Sequence, residues 1–217
     1  MTNVCSSCGS YRADKIVDVD AEIVVCPECG HRQRLRFLPL MLVGGPSGAG
    51  KSTILFELVS RDLPVVLLDA DTIWSPHFDD PDSNYREFFE TWLRIAKNIH
   101  QSGRSCVLFG SGAVVPRNII PCIEARYFSR IHYLALIAEE DALRTRLLSR
   151  PAWRHTADED FLSAQIEFAR WLRTGAEAAE HDIRPVDTTH EPATESAGRV
   201  ADWISEVLQL DHRSPAT

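Results

Sequence analysis

Residues 39–53 read Pro39-Leu40-Met41-Leu42-Val43-Gly44-Gly45-Pro46-Ser47-Gly48-Ala49-Gly50-Lys51-Ser52-Thr53. Pro39 to Val43 is a short apolar run that ends in glycines, the pattern of a buried strand. Gly45 to Ser52 then satisfies G-x-x-x-x-G-K-[ST]. Glycines at these positions let backbone N–H groups curl around phosphate oxygens, while Lys51 neutralises β/γ-phosphate charge and Ser52 offers its hydroxyl to Mg²⁺. A helix starting at the lysine adds the positive end of its dipole. The residues expected to bind nucleotide are Gly45, Ser47, Gly48, Ala49, Gly50, Lys51, Ser52 and Thr53. A strand before and a helix after favour ATP or a close relative over a glycine turn without ligand.

Outward from this loop, apolar runs alternate with amphipathic stretches. Val65 to Leu68 is a second strand, ending at Asp69-Ala70-Asp71. Residues from Asn84 to Gln101 form a long helix, with Tyr85, Phe88, Phe89, Trp92, Ile95 and Ile99 at helical spacing. Cys106 to Phe109 is a third strand, closed by Gly110-Ser111-Gly112, and Ile131 to Ile137 a fourth. Helices are predicted over 140–149, 161–178 and 192–210, with a short last strand at Pro185-Val186-Asp187. This alternation implies an α/β domain of the P-loop type: a parallel five-stranded sheet with helices on both faces. It spans residues 38–210. Residues 211–217 are expected to be a disordered tail.

The chain has 217 residues, 44% of them hydrophobic and 25% charged, which suits a soluble globular protein. No apolar run approaches the roughly 20 residues of a membrane helix. The N-terminus lacks the basic start and apolar stretch of a secretory signal, so a cytoplasmic location without membrane contact is expected. A formal net charge of -8 argues against a general nucleic-acid coat.

Composition shifts near residue 37. Ahead of it, Cys5-x-x-Cys8-Gly9 and Cys26-Pro27-Glu28-Cys29-Gly30 form two knuckles separated by 17 residues. That is the spacing of a four-thiolate zinc ribbon, and the glycine after each pair lets the backbone turn toward sulfur. Residues 1–37 are read as that ribbon, with Cys5, Cys8, Cys26 and Cys29 on a structural zinc ion. Iron is the minor alternative, because rubredoxin-like sites share the geometry. His31 is surplus to a four-coordinate site. Arg32, Arg34 and Arg36 alternate along a strand and place three arginines on one face, a surface for nucleic acid or a phosphorylated substrate. Nearby acidic residues weaken that idea, and a packing or homodimer-forming module is preferred. Cys106 and Cys122 read as buried core thiols.

A phosphate loop alone does not separate kinases from motors and switches. Motor ATPases place an acidic residue at the end of a downstream strand, and GTPases carry Asn-Lys-x-Asp. Here the third strand ends without a carboxylate and the second element is missing. The aspartates that end the second strand have a chemical reading of their own. A carboxylate within reach of an acceptor hydroxyl can orient it and take its proton as the bond to phosphorus forms. On an extended strand end, positions 69 and 71 point the same way. The competing reading is that they merely cap the helix after the strand.

In these motifs and their order, residues 38 to 210 resemble the shikimate kinase-like and nucleoside or nucleotide kinase group. The matching segments are Gly45 to Thr53, Leu68-Asp69-Ala70-Asp71, Gly110-Ser111-Gly112, Arg144 to Pro151, and Asp187-Thr188-Thr189. The resemblance implies Mg²⁺ held with help from Asp69, and Asp71 as base or acceptor-binding residue. It also implies a glycine-rich substrate loop after the third strand, a lid whose arginines clamp phosphates, and a last strand near the adenine. Arg150 and Arg154 are the lid residues chosen, with Arg146 as a further candidate; solvated arginines in salt bridges are the alternative.

On the acceptor side, Trp74 stands outside the periodic aromatic stretch and is the best ligand contact, while Phe88, Phe89 and Trp92 read more readily as core. Arg117, Arg126 and Arg130 are candidates for an anionic acceptor or plain surface charges. The leading expectation is an ATP-dependent kinase acting on a small hydroxyl acceptor, nucleoside or sugar-like. A nucleoside monophosphate kinase is the nearest alternative. A nucleic-acid-associated ATPase or polynucleotide kinase with the ribbon as reader, and a nucleotide sensor without transfer, are the others.

Overall fold

The computed structural model describes residues 3–174 and 180–212. An antiparallel three-stranded sheet comes first: β1 (Ile16–Asp18), β2 (Ile23–Val25) and β3 (Arg32–Arg34). The second sheet joins β4 (Leu40–Gly44), β5 (Val65–Asp69), β6 (Ser105–Phe109), β7 (Ile131–Ile137) and β8 (Arg184–Asp187), all parallel, in the spatial order β5-β6-β4-β7-β8. β4 is central, its Leu40 paired with Cys106 on one side and Ile131 on the other. Every residue of β4 and β6 is buried, which is why both read as unbroken apolar runs and not as alternating ones.

Helices cover both faces of this sheet. They are α1 (Lys51–Val59), α2 (Arg86–His100), α3 (Pro116–Ile119), α4 (Glu140–Leu148), α5 (Glu159–Thr174) and α6 (Ala193–His212). Leu40, Leu42, Cys106 and Leu108 face Phe88, Phe89, Trp92 and Leu93 of α2. Met41, Val43, Val107 and Phe109 face Ile54 and Leu58 of α1 and Ala197, Val200 and Ile204 of α6. Alternate side chains of one strand thus feed two cores.

Several boundaries differ from the sequence reading. α2 begins at Arg86, because Asn84 and Tyr85 adopt left-handed backbone at φ 55 and 56. Between β5 and α2 the chain makes three short 3₁₀ turns, at Ala70–Ile73, Pro76–Phe78 and Pro81–Ser83; an aspartate opens the first and third, and a proline begins the second and third. α6 runs two residues past the expected end. Residues 175–178 of the helix predicted over 161–178 and residues 213–217 of the expected tail lie outside the described residues. No helix among the described residues is long and apolar enough to cross a membrane.

The small sheet is docked, not tethered. Val24, Leu35 and Phe37 pack with Tyr127 into a core of their own. Beside it lies a buried polar group of four. The fully buried side chains of Lys97 and Glu124 form an ion pair, Asn3 Nδ2 donates to Glu124 at 3.1 Å, and Lys97 Nζ donates to Asn3 Oδ1. Arg94 Nε reaches the same carboxylate at 3.0 Å, and Lys97 Nζ sits 3.9 Å from the Tyr127 ring centre. Gln101 closes the junction by bonding both the N–H and the C=O of Arg36, at 2.9 and 3.0 Å.

Candidate active site

The loop between β4 and α1 is shaped by its glycines. At Gly45 the backbone passes so close to β7 that a Cβ would lie 2.1 Å from the Leu136 carbonyl oxygen, and its φ of 142° excludes other residues as well. α1 starts with no side-chain cap and no acidic residue in its first turn. Its free N–H groups and dipole therefore face the loop unneutralised, which is what an anion requires.

Lys51 folds back over the loop and donates to the carbonyls of Gly45 and Pro46 at 2.8 and 3.0 Å. Burial lowers its pKa to about 8, Asp71 and Asp69 oppose that shift, and Arg150 adds to it. Ser47 N–H donates to Gln165 Oε1 of α5 at 2.7 Å.

The ends of β5 and β6 complete the cleft. Lys51, Ser52, Asp69, Asp71, Phe109 and Gly110 line one small depression. The two aspartates meet there, but not along an extended strand as the sequence suggested. Asp69 ends β5 and its Oδ1 accepts from Asp71 N at 3.0 Å, so Asp71 sits in a 3₁₀ turn. Asp69 thus caps that turn and lines the cleft at once. Gly110 follows β6 at the point where a Cβ would lie 2.7 Å from Ala70 Cβ, so it lets the two strand ends close up.

On the other side of the loop lies a cleft of about 320 Å³ between α1, α4 and the start of α6. Arg150 lines it, together with Gly48, Gly50, Thr53 and Thr188. Burial, then the neighbouring Arg154, depresses the Arg150 pKa. Arg154 is exposed, 5.1 Å from the Trp153 ring centre, in the short turn Ala152–Arg154. Arg144 is committed to Glu159 at 2.9 Å. Arg146 is a strut: it donates to the carbonyls of Gly48 at 3.2 Å, Thr188 at 2.6 Å and Thr189 at 3.1 Å, tying the loop to the end of β8.

Acceptor-side candidates separate cleanly. Trp74 is 45% exposed, and its backbone N–H bonds the Asp71 carbonyl at 3.1 Å. Its ring meets Phe88 edge-on at 5.2 Å and Tyr85 at 6.1 Å. Phe88, Phe89 and Trp92 are core. Arg117 lies over the Trp171 ring at 5.6 Å. Arg126 and Arg130 precede β7, at the end of the sheet away from the loop, and so do not join the site.

No family model and no curated protein matches the sequence. Solved structures do match in shape. A sugar kinase from Janibacter sp. superposes with a TM-score of 0.57 at 16% identity, over 80% of this chain and 98% of that one. A gluconokinase from Sinorhizobium meliloti gives 0.51 at 19%, over 82% and 95%. The Deinococcus radiodurans tunicamycin resistance protein gives 0.55 at 16%, over 78% and 96%. The fold is that of small-molecule kinases.

The four knuckle cysteines converge. Their sulfurs lie within 4.8 Å of one another. Cys5 Sγ to Cys29 Sγ is 3.7 Å and Cys8 Sγ to Cys26 Sγ is 3.8 Å. A tetrahedral zinc with Zn–S bonds of about 2.3 Å places its sulfurs about 3.8 Å apart, so the donor set fits that ion. Gly9 and Gly30, with φ of 72 and 71°, supply the turns. His31 bonds Ser6 Oγ at 3.1 Å instead of joining the cluster. Arg32 and Arg34 are exposed on β3, whereas Arg36 falls beyond the strand at the docked junction.

Sequence reasoning missed Gln165, Glu191 and Ser196, which also border the loop and its cleft. Gln165 carried no local signal. Glu191 and Ser196 precede and open the last helix, a place where such residues usually serve as caps.

Proposed function

We propose that the protein transfers the γ-phosphoryl group of ATP to a hydroxyl of a small acceptor. The observation that carries this reading is the convergence of Lys51, Ser52, Asp69 and Asp71 on one cleft beside the uncapped start of α1. Backbone N–H groups of residues 47–52 bind the phosphates, Lys51 bridges the β- and γ-oxygens, and Arg150 approaches from the lid side. Arg154 needs only the lid segment to close in order to join it. Ser52 and Asp69 are the residues that would hold magnesium, which supplies charge neutralisation between the phosphates. Asp71 orients the acceptor hydroxyl. As its oxygen bonds to the γ-phosphorus and the bond to ADP breaks, the hydroxyl proton passes to Asp71.

The half-exposed Trp74 ring beside Asp71 supports a nucleoside-like or sugar-like acceptor, since both present a flat or weakly polar face. Two of the three arginines considered for a second phosphate lie at the far end of the sheet, which disfavours a monophosphate acceptor. We assign residues 1–37 to a structural zinc ribbon and 38–210 to the kinase domain. The ribbon's role is to brace α2 through the Asn3, Lys97 and Glu124 contacts. Four reduced thiolates favour a cytoplasmic location.

The test is ADP release with Mg-ATP against a panel of nucleosides, sugars, nucleotides and antibiotics, run beside Asp71→Asn. An acceptor that stimulates turnover only in the wild type supports the assignment. If nothing in the panel stimulates turnover and the variant behaves like the wild type, the role given to Asp71 is wrong.

A further inference from the structure

One contact that shapes the aspartate cleft comes from a residue buried outside it. Trp92 of α2 is 3% exposed, and its indole Nε1 donates to the Ala70 carbonyl at 3.2 Å. Ala70 lies between the two aspartates. Its carbonyl and the Asp71 N–H belong to one peptide group, and that N–H is bound to Asp69 Oδ1 at 3.0 Å. A peptide group is flat and stiff, so holding its oxygen and its N–H at once fixes its plane. The direction in which the chain enters Asp71 follows from that plane. Donation to the oxygen also polarises the group and strengthens the bond that its N–H makes.

The neighbouring helical turn helps. Phe88 lies four positions before Trp92, on the same face of α2, and meets the Trp74 ring edge-on at 5.2 Å. Two successive turns of α2 therefore hold the start and the end of segment 70–74. The helix is anchored independently of that segment. The Glu90 carboxylate accepts from the backbone N–H groups of Ile123 and Glu124 at 2.6 and 3.0 Å, Lys97 is paired with Glu124, and Gln101 bonds Arg36. Within the segment, Asp71 and Trp74 are exposed, and their backbone N–H groups bond only to Asp69 Oδ1 and the Asp71 carbonyl close by. The helix is the fixed partner, and the turn conforms to it.

We propose that Trp92 is a positioning residue for phosphoryl transfer: by holding the Ala70 carbonyl, it aims the Asp71 carboxylate into the cleft. The inference rests on the role given to Asp71 above. The plain alternative is that a buried indole N–H requires an acceptor and Ala70 is simply the carbonyl within reach. The two differ in what loss of the N–H does. On the alternative it costs stability alone, whereas on the proposal it costs rate, and only while Asp71 is present to be aimed.

Steady-state ADP release from Mg-ATP tests this, with water as acceptor or with the acceptor that the panel yields. The chains compared are the wild type, Trp92→Phe, Asp71→Asn and the double variant. Trp92→Phe should lower kcat about tenfold and leave the KM for Mg-ATP unchanged, because the indole does not touch the phosphate loop. In the Asp71→Asn chain the same change should cost little further rate, since residues that act as a unit are not additive. Benzothienylalanine installed at position 92 keeps the shape of the ring and replaces the N–H with sulfur. It should reproduce the loss in kcat, and it serves in place of the phenylalanine variant if that chain folds poorly.

A lower melting temperature with wild-type kcat in both Trp92 variants makes the indole a core residue only and overturns the proposal. A tenfold loss that persists in the Asp71→Asn chain also overturns it, because Trp92 then acts through something else. If Asp71→Asn releases ADP as the wild type does, or the wild type releases none, the role given to Asp71 fails and this inference with it.

Discussion

Lys51 is where stability and function pull in opposite directions. Its pKa falls from 10.5 to about 8, chiefly through burial, with Arg150 acting the same way and Asp71 and Asp69 against it. At about 1.4 kcal/mol per pH unit, that displacement corresponds to roughly 3 kcal/mol. The side chain keeps partial contact with solvent, so about 2 kcal/mol is the figure expected in solution. The unfolded chain holds the Lys51 proton more tightly than the folded one. Below pH 8 both states carry the proton and the penalty on folding is complete; as pH rises from about 8 toward 10.5, the penalty is relieved and stability increases. Lys51→Met removes this titration while leaving every other ionisable group in place. Urea unfolding of both proteins in steps from neutral pH to about 10 isolates the effect, because the shared background cancels. Relative to the variant, the wild type should gain about 2 kcal/mol over that range, a relative rise of roughly 4–8 °C in melting temperature. Bound phosphate should return the proton to Lys51, so wild-type affinity for Mg-ATP is expected to fall by up to about tenfold per pH unit above 8. A stability gap that stays constant with pH would refute the reasoning, since it would mean that the lysine titrates in its ordinary range.

Asp71→Asn should lower turnover by about 10²–10⁴-fold with little change in Mg-ATP affinity, read from steady-state rates beside calorimetry; weakened nucleotide binding instead would make Asp71 a magnesium residue. Purified protein should contain one zinc per chain by elemental analysis, and chelation should unfold the ribbon, because strands of three residues do not persist alone and structural zinc supplies about 10–16 kcal/mol. Glu124→Gln should destabilise by about 3–5 kcal/mol by stranding Lys97, whereas Lys97→Met with Glu124→Gln together should recover most of that loss in thermal melts. Gln165→Ala should tighten Mg-ATP binding about fivefold by removing a competitor for Ser47 N–H, and weaker binding would instead make Gln165 a ligand contact.

Much of this was legible in the chain because backbone geometry dictates it. A loop that wraps phosphate needs glycine at fixed offsets and lysine at the head of a helix, so Gly45 to Ser52 announce themselves. The buried strands β4 and β6 have no polar face, hence the unbroken apolar runs. Four thiolates around one ion need two short knuckles, and the spacing of Cys5, Cys8, Cys26 and Cys29 follows. What escaped depends on contacts between distant segments. Gln165 lies 118 positions from the N–H it binds. Arg126 and Arg130 had the right chemistry for a phosphate, but only the sheet shows that they sit at its wrong end. Lys97 falls on the same helical stripe as Phe89, Leu93, Ala96 and His100, all buried. A lysine on an apolar stripe is the trace that a buried pair leaves in sequence, yet its partner Glu124 sits on another element and gives no sign. The turns between residues 70 and 83 escaped for a local reason: their prolines and aspartates permit many short conformations and dictate none.

The resting loop also bears on how binding energy is distributed in this protein. Its groups are not waiting unpaired: Lys51 donates to the Gly45 and Pro46 carbonyls, and Ser47 N–H is held by Gln165. On the proposed function, phosphate would exchange hydrogen bonds instead of adding them, and the net gain would come from the charge of Lys51 and the uncapped start of α1. The exchange has a structural consequence. Gln165 belongs to α5, the helix that follows the segment carrying Arg150 and Arg154. On the proposed function, phosphate taken up at the Ser47 N–H would displace Gln165 and remove this bond between α5 and the loop.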